Sequence, residues 1–147
     1  MVDDKKDAKI LIIDDNETEL DLLEAILMRL GFQKIRKALS AEEAIGLTKE
    51  QPPDLFFIDI IMPGMTGGEF RELLKENATT KDIPVIFISG IISKQEERLM
   101  RGRLKSGDII VAKPFSIREI AEVVTESLKK NIRHDEPVEE YLSEQQR

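Results

Sequence analysis

Four apolar runs in this chain each stop at a polar or charged residue, and that pattern restricts the fold more than any other feature. Ile10-Leu11-Ile12-Ile13 runs into Asp14-Asp15, and Leu55-Phe56-Phe57-Ile58 runs into Asp59. Val85-Ile86-Phe87-Ile88 ends at Ser89, and Ile109-Ile110-Val111-Ala112 ends at Lys113-Pro114. Short runs of Val, Ile and Phe without polar alternation read as strands covered on both faces, as in a parallel sheet packed between helices. Strands are predicted at residues 10–14, 33–38, 54–59, 84–89 and 108–112. The second, Gln33-Lys34-Ile35-Arg36-Lys37-Ala38, alternates in polarity and is therefore placed at an edge.

Helical patterns fill the intervals. Leu20, Leu23, Leu27 and Leu30 make one apolar stripe closed by Gly31, and Ile117, Ile120, Val124 and Leu128 make another. A small polar residue followed three positions later by Glu satisfies free N–H groups at a helix start. That spacing occurs at Asn16…Glu19, Ser40…Glu43, Thr66…Glu69, Ser93…Glu96 and Ser116…Glu119, once after each predicted strand. The first, with Asn in the capping position, is a variant. The fold expected is α/β, a (βα)₅ doubly wound parallel sheet with right-handed crossovers. Gly102 falls inside the fourth helical pattern, where it costs about 1 kcal/mol relative to Ala and predicts a mobile helix.

The chain has 147 residues, enough for one domain with a proper core and no need of disulfides; it contains no cysteine. Its apolar runs are far too short to span a membrane, and Met1 to Lys9 alternates acid and base without a signal-peptide core. A cytoplasmic protein without membrane insertion is expected. The net charge of −7 argues against direct nucleic-acid binding, which depends on Lys and Arg at phosphates. Lys94, Arg98, Arg101, Arg103 and Lys105 nevertheless form a basic stretch, read either as a solvated helix face or as a surface for an acidic partner. Residues 1–130 read as the domain and 131–147 as an acidic tail, in which Pro137 can open a short extra helix and His134 is a surface residue. Met62, Met65 and Phe70 read as packing.

In an open α/β sheet, ligands bind outside the carboxyl ends of the strands. Asp14, Asp15, Asp59, Ser89 and Lys113 would converge there. Three clustered carboxylates raise one another's pKa, and a hard divalent cation such as Mg²⁺ relieves that repulsion. Asp59 can then serve as an oxygen nucleophile toward a phosphoryl group, with Lys113 and Ser89 aiding the moving oxygens.

These residues, in this order and spacing, resemble the receiver domain of bacterial two-component response regulators: Asp14-Asp15-Asn16, Asp59-Ile60-Ile61-Met62-Pro63-Gly64-Met65-Thr66-Gly67, Ser89-Gly90 and Lys113-Pro114-Phe115. The similarity spans residues 9 to about 130. It implies a flavodoxin-like strand order 2-1-3-4-5. It implies that Asp59 is the phosphoacceptor, charged by a histidine kinase, a phosphotransfer protein or a small phosphodonor. Asp14 and Asp15 would hold Mg²⁺ (or Mn²⁺) with Asp59 and the backbone carbonyl of Ile61. Ser89 would turn its hydroxyl to the phosphoryl group, Lys113 would pair with it, and the bond to Pro114 would be cis. Aspartyl phosphorylation and dephosphorylation would be self-catalysed, with no other enzymatic activity. A stand-alone regulator is expected, in which residues 93–130 dock a downstream protein, by a monomer or a phosphorylation-dependent dimer; a phosphorelay intermediate, a motility-type regulator and a receiver piece of a longer protein are all open.

Two departures from the family modify that picture. The aromatic residue usual three positions before the lysine is Ile110 here, so the coupling of hydroxyl to aromatic swing is replaced by backbone shifts around residues 89–94 or by another readout. Ile61 and Ile91, flanking the path of attacking water, are apolar and branched, which predicts slow autodephosphorylation. Two other functions remain open. One is a receiver-like interaction module that works without phosphorylation. The other is a haloacid-dehalogenase-like phosphatase, which needs Asp-x-Asp where this chain has Asp14-Asp15-Asn16.

Overall fold

The computed structural model describes residues 6–132, with side chains described to residue 129. Tail residues 133–147, including His134 and Pro137, lie outside the described residues. Among these residues, five strands alternate with five named helices. They are β1 (Lys9–Ile13), α1 (Glu17–Arg29), β2 (Lys34–Ala38), α2 (Ala41–Glu50) and β3 (Leu55–Asp59), then α3 (Gly67–Lys75), β4 (Val85–Ser89), α4 (Lys94–Leu99), β5 (Ile109–Ala112) and α5 (Ile117–Ile132). All strand pairs are parallel, in the order β2-β1-β3-β4-β5. The alternating strand 34–38 is indeed at one edge.

Because successive side chains on a strand point to opposite faces, each apolar run feeds two cores at once. Ile10, Ile12, Leu55, Phe57, Ile86, Ile88, Ile109 and Val111 meet Leu20, Leu23, Leu27, Ile120, Val124 and Leu128 from α1 and α5. Leu11, Ile13, Phe56, Ile58, Val85, Phe87 and Ile110 meet Ala41, Ala44, Phe70 and Leu74 from α2 and α3. Phe56 and Phe70 pack edge to face at 5.7 Å between ring centroids. Met62 and Phe70 are buried and Met65 partly so, in keeping with a packing role. Ile117 departs from expectation. As the first residue of α5 it is 38% exposed, so the buried stripe begins one turn later at Ile120.

The helix starts follow the expected chemistry. Thr66, Ser93 and Ser116 close full capping boxes with Glu69, Glu96 and Glu119. Ser40 accepts from Glu43 N–H, while the Glu43 carboxylate reaches back to Leu39 N–H instead. Asn16 accepts from Glu19 N–H, and its own N–H is taken by Asp14 Oδ1 at 3.0 Å. The site acid thus completes the cap of α1.

The fourth helix differs from the pattern read in the sequence. It is six residues long, and Gly102 lies beyond its end rather than within it. Arg101 (φ 56°) and Gly102 (φ 69°) are left-handed, with Gly102 N–H donating to Glu97 O and Arg101 N–H to Arg98 O. This is a Schellman stop. The chain then turns back beside β5. Leu104 N–H donates to Asp108 O and Ile110 N–H to Gly102 O, an antiparallel bridge that covers part of the sheet's second edge.

Candidate functional site

Strand register builds the site. Ile13 pairs with Ile58, Asp59 with Ile88 and Ser89 with Ala112, so Asp14, Asp59, Ser89 and Lys113 emerge along one rim of the sheet. Backbone bonds lock the row: Asp14 N–H to Ala38 O at 3.1 Å, Ile60 N–H to Ile88 O at 3.1 Å and Lys113 N–H to Ser89 O at 2.8 Å. The Lys113–Pro114 bond is cis, as expected.

Asp14, Asp59 and Ser89 are buried, whereas Asp15 is exposed. One carboxylate oxygen from each of Asp14, Asp15 and Asp59 lies within 4.8 Å of the others, a grouping able to hold a metal ion. Lys113 Nζ donates to Asp14 Oδ2 at 2.9 Å and sits 3.6 Å from Asp59 Oδ2, a direct hydrogen bond to the first and a looser ion pair with the second. Asp59 Oδ1 accepts from Ile61 N–H at 3.4 Å. Ser89 Oγ accepts from Ile91 N–H at 3.1 Å, which leaves the hydroxyl proton for another acceptor. Ile61 and Ile91 stand at the rim, 54% and 67% exposed.

The electrostatics reflect three acids sharing one ammonium. Burial, reinforced by the negative charge of Asp14, pushes the Asp59 carboxyl up to about 6, and Lys113 offsets this only in part. Burial disfavours the Lys113 ammonium, but its hydrogen bond to Asp14 and the charges of Asp14 and Asp59 outweigh that effect and raise its pKa. The protein's own cation therefore does not balance the pocket. A divalent cation suits this donor set, because hard oxygen ligands and surplus negative charge are what such ions require.

The sequence model of the response regulator receiver domain matches residues 10–125. The chain belongs to this family. It is 32% identical over 131 residues to the transcriptional regulatory protein YvrH of Bacillus subtilis, covering 89% of this chain and 53% of YvrH. It is 31% identical over 116 residues to the polar-differentiation response regulator DivK of Brucella ovis, covering 78% of this chain and 91% of DivK. It therefore spans about half of the first relative and nearly all of the second. Among solved structures it resembles a two component transcriptional regulator AraC from Clostridium phytofermentans, with TM-score 0.71, 28% identity, and coverage of 88% of this chain and 99% of that one. The flavodoxin-like receiver fold and the two-component signalling family are thus shown. No helix among the described residues is long and apolar enough to cross a membrane.

The receiver fold clusters Asp14, Asp15, Asp59 and Lys113, and Ser89 ends the neighbouring strand on the same rim. Ile110 is buried among Phe87 and other residues of the α2/α3 core, so it offers no surface side chain to swing. The basic stretch is less free than its sequence suggests. Arg103 pairs with Glu126, and Lys94 Nζ donates to Glu119 at 2.8 Å and to the Ala112 carbonyl at 2.6 Å. Glu97 Oε1 accepts from Ala112 N–H at 2.7 Å. The sequence placed Lys94 in the basic stretch and Glu119 in the cap of the last helix, but did not join either of them with Glu97. The i,i+3 spacing of Lys94 and Glu97 was the only local trace of that network, and such pairs are common on solvated helices.

Proposed function

We propose that Asp59 is a phosphoacceptor, charged by the phosphohistidine of a kinase or phosphotransfer protein. An Asp59 carboxylate oxygen attacks phosphorus, the P–N bond breaks, and its electron pair leaves with the imidazole, which is then protonated. The reading is carried by one observation: three carboxylates within 4.8 Å of one another, with Lys113 bridging two of them. Asp14, Asp15, Asp59 and the Ile61 carbonyl would hold Mg²⁺ (or Mn²⁺). Bound there, the ion neutralises charge on the acids and on the phosphoryl oxygens. Lys113 pairs with the new phosphoryl group, and Ser89 donates its free hydroxyl proton to it. The activity is confined to the chain's own aspartate, with no separate substrate turned over.

Residues 1–130 form the receiver unit, and residues 93–130 present the face read by a downstream protein. Ile61 and Ile91 at the rim limit the approach of an oriented water, so the acyl phosphate decays slowly. The test is incubation with Mg²⁺ and acetyl phosphate, followed by intact mass beside an Asp59→Asn control. The expected result is gain of one phosphoryl group in the native chain alone, with slow loss afterwards. No gain in the native chain transfers the weight to the phosphorylation-independent interaction module, which the burial of Ile110 favours.

A further inference from the structure

Ala112 is the last residue of β5 and, among the described residues, has no strand beside it on its outer edge, yet both its backbone groups are bonded there. Glu97 Oε1 accepts from its N–H at 2.7 Å, and Lys94 Nζ donates to its carbonyl at 2.6 Å. Lys94 is itself held by Glu119 Oε2 at 2.8 Å, and Glu119 closes the capping box of α5 with Ser116. On the inner side, the next residue's N–H, that of Lys113, donates to Ser89 O at 2.8 Å. The strand end that carries the site lysine is therefore gripped twice, by β4 within the sheet and by α4 from outside.

The attachment of α4 makes this grip consequential. None of its six residues is buried, and a helix so short has little stability of its own. Lys94 and Glu97 join it to the domain through Ala112. Its outward side carries Arg98 and Leu99, the latter 77% exposed. Any displacement of Ala112 passes directly to that surface through two short bonds, one to each of its peptide groups.

We propose, on the reading that Asp59 is the phosphoacceptor, that Lys94 and Glu97 are positioning residues for Lys113. Their clamp on Ala112 couples the lysine to α4 in place of an aromatic side chain at position 110. When Lys113 follows a phosphoryl group on Asp59, Ala112 moves with it and carries α4 along. The coupling is reciprocal, so a protein seated on α4 restrains Lys113 through the same bonds.

The test uses the full chain with Glu97→Ala, Glu97→Gln and Lys94→Met. Phosphoryl gain from acetyl phosphate is followed by intact mass at a series of Mg²⁺ concentrations. Amide exchange of residues 94–99 is measured before and after labelling. Loss of one clamp bond is expected to lower the maximal labelling rate about fivefold in Glu97→Ala and Lys94→Met, equivalent to ~1 kcal/mol. The Mg²⁺ concentration for half-maximal rate should stay unchanged, because the acids of the pocket set it. Labelling should alter exchange across 94–99 in the native chain and not in these two variants. Glu97→Gln keeps an acceptor oxygen for Ala112 N–H and should behave as the native chain does. Native rates and native exchange responses in Glu97→Ala and Lys94→Met would overturn the clamp. So would a Gln variant as impaired as the Ala variant, or a Mg²⁺ dependence that shifts along with the rate. Absence of labelling in the native chain itself would instead remove the phosphoacceptor reading, and the clamp with it.

Discussion

At the scale of single residues, the site is built against its own stability. Asp59 is buried beside Asp14, and its carboxyl is raised from 3.8 to about 6. A carboxylate raised on folding favours the folded state in its protonated form. Its contribution is therefore fully present below about 3.8 and is lost as pH rises through about 6. At 1.36 kcal/mol per unit, the loss at neutral pH is on the order of 3 kcal/mol. Asp59→Asn should thus be more stable than the native chain at pH 7 in chelator by roughly that amount, and equal to it near pH 4. Addition of Mg²⁺ should raise the native chain's stability and close the gap. Urea unfolding of both proteins across this pH range, with and without Mg²⁺, measures the difference directly. A variant no more stable than the native chain at pH 7 would show that Lys113 already balances the pocket.

At the scale of elements, glycines with opposite duties show where local rules hold and where they fail. Gly67 opens α3 directly under the end of β3, donating its N–H to Ile60 O at 3.0 Å. A Cβ there would lie 2.9 Å from Ile58 Cγ2 and 3.0 Å from Ile60 Cα, and closer still to the Asp59 carbonyl. Gly46, within α2, would meet nothing within 4 Å. Gly67→Ala should therefore cost about 1–3 kcal/mol by overpacking and slow phosphoryl gain by displacing the Asp59 turn. Gly46→Ala should add ~0.5–1 kcal/mol through helix propensity. Urea midpoints of the two variants should move in opposite directions, and a shift of the same sign in both would contradict the packing argument. Helix starts were legible in the sequence because a cap is completed within four residues, as at Thr66–Glu69 and Ser93–Glu96. The end of α4 was not legible. Basic residues continue at helical spacing to Lys105, but the backbone stops at Leu99 because residues 102–104 bond to Asp108 and Ile110 across a turn. No three- or four-residue pattern encodes that pairing. Lys94 was misjudged for the same reason: its partners Ala112 and Glu119 lie 18 and 25 residues away.

Across the whole molecule, one sheet separates two apolar layers, and the site occupies the rim where neither layer reaches. The apolar runs announced this arrangement, since residues such as Ile12 and Ile13 must both be buried although they point to opposite faces. The convergence of Asp14, Asp59, Ser89 and Lys113 was legible because parallel strands end at the same rim, a consequence of topology rather than of any one motif. The two-layer construction has a measurable consequence. Ile12 packs with α1 and α5, whereas Ile13 packs with α2 and α3. Ile→Val at either position removes one methylene and should cost about 0.5–1.5 kcal/mol. Although adjacent in sequence, the two cavities open into separate cores, so the double variant should lose the sum of the single effects to within about 0.5 kcal/mol. Ile12 and Phe57 are opposite one another in register and lie in the same layer. Combining Ile12→Val with Phe57→Leu should depart from additivity by at least about 0.5 kcal/mol, because the enlarged space is shared and the neighbours relax once. Equilibrium urea unfolding of the six proteins (native, three single and two double variants) yields both coupling energies. Comparable coupling in the two pairs would mean that the sheet transmits packing changes from one face to the other, and the layers would then act as a single core.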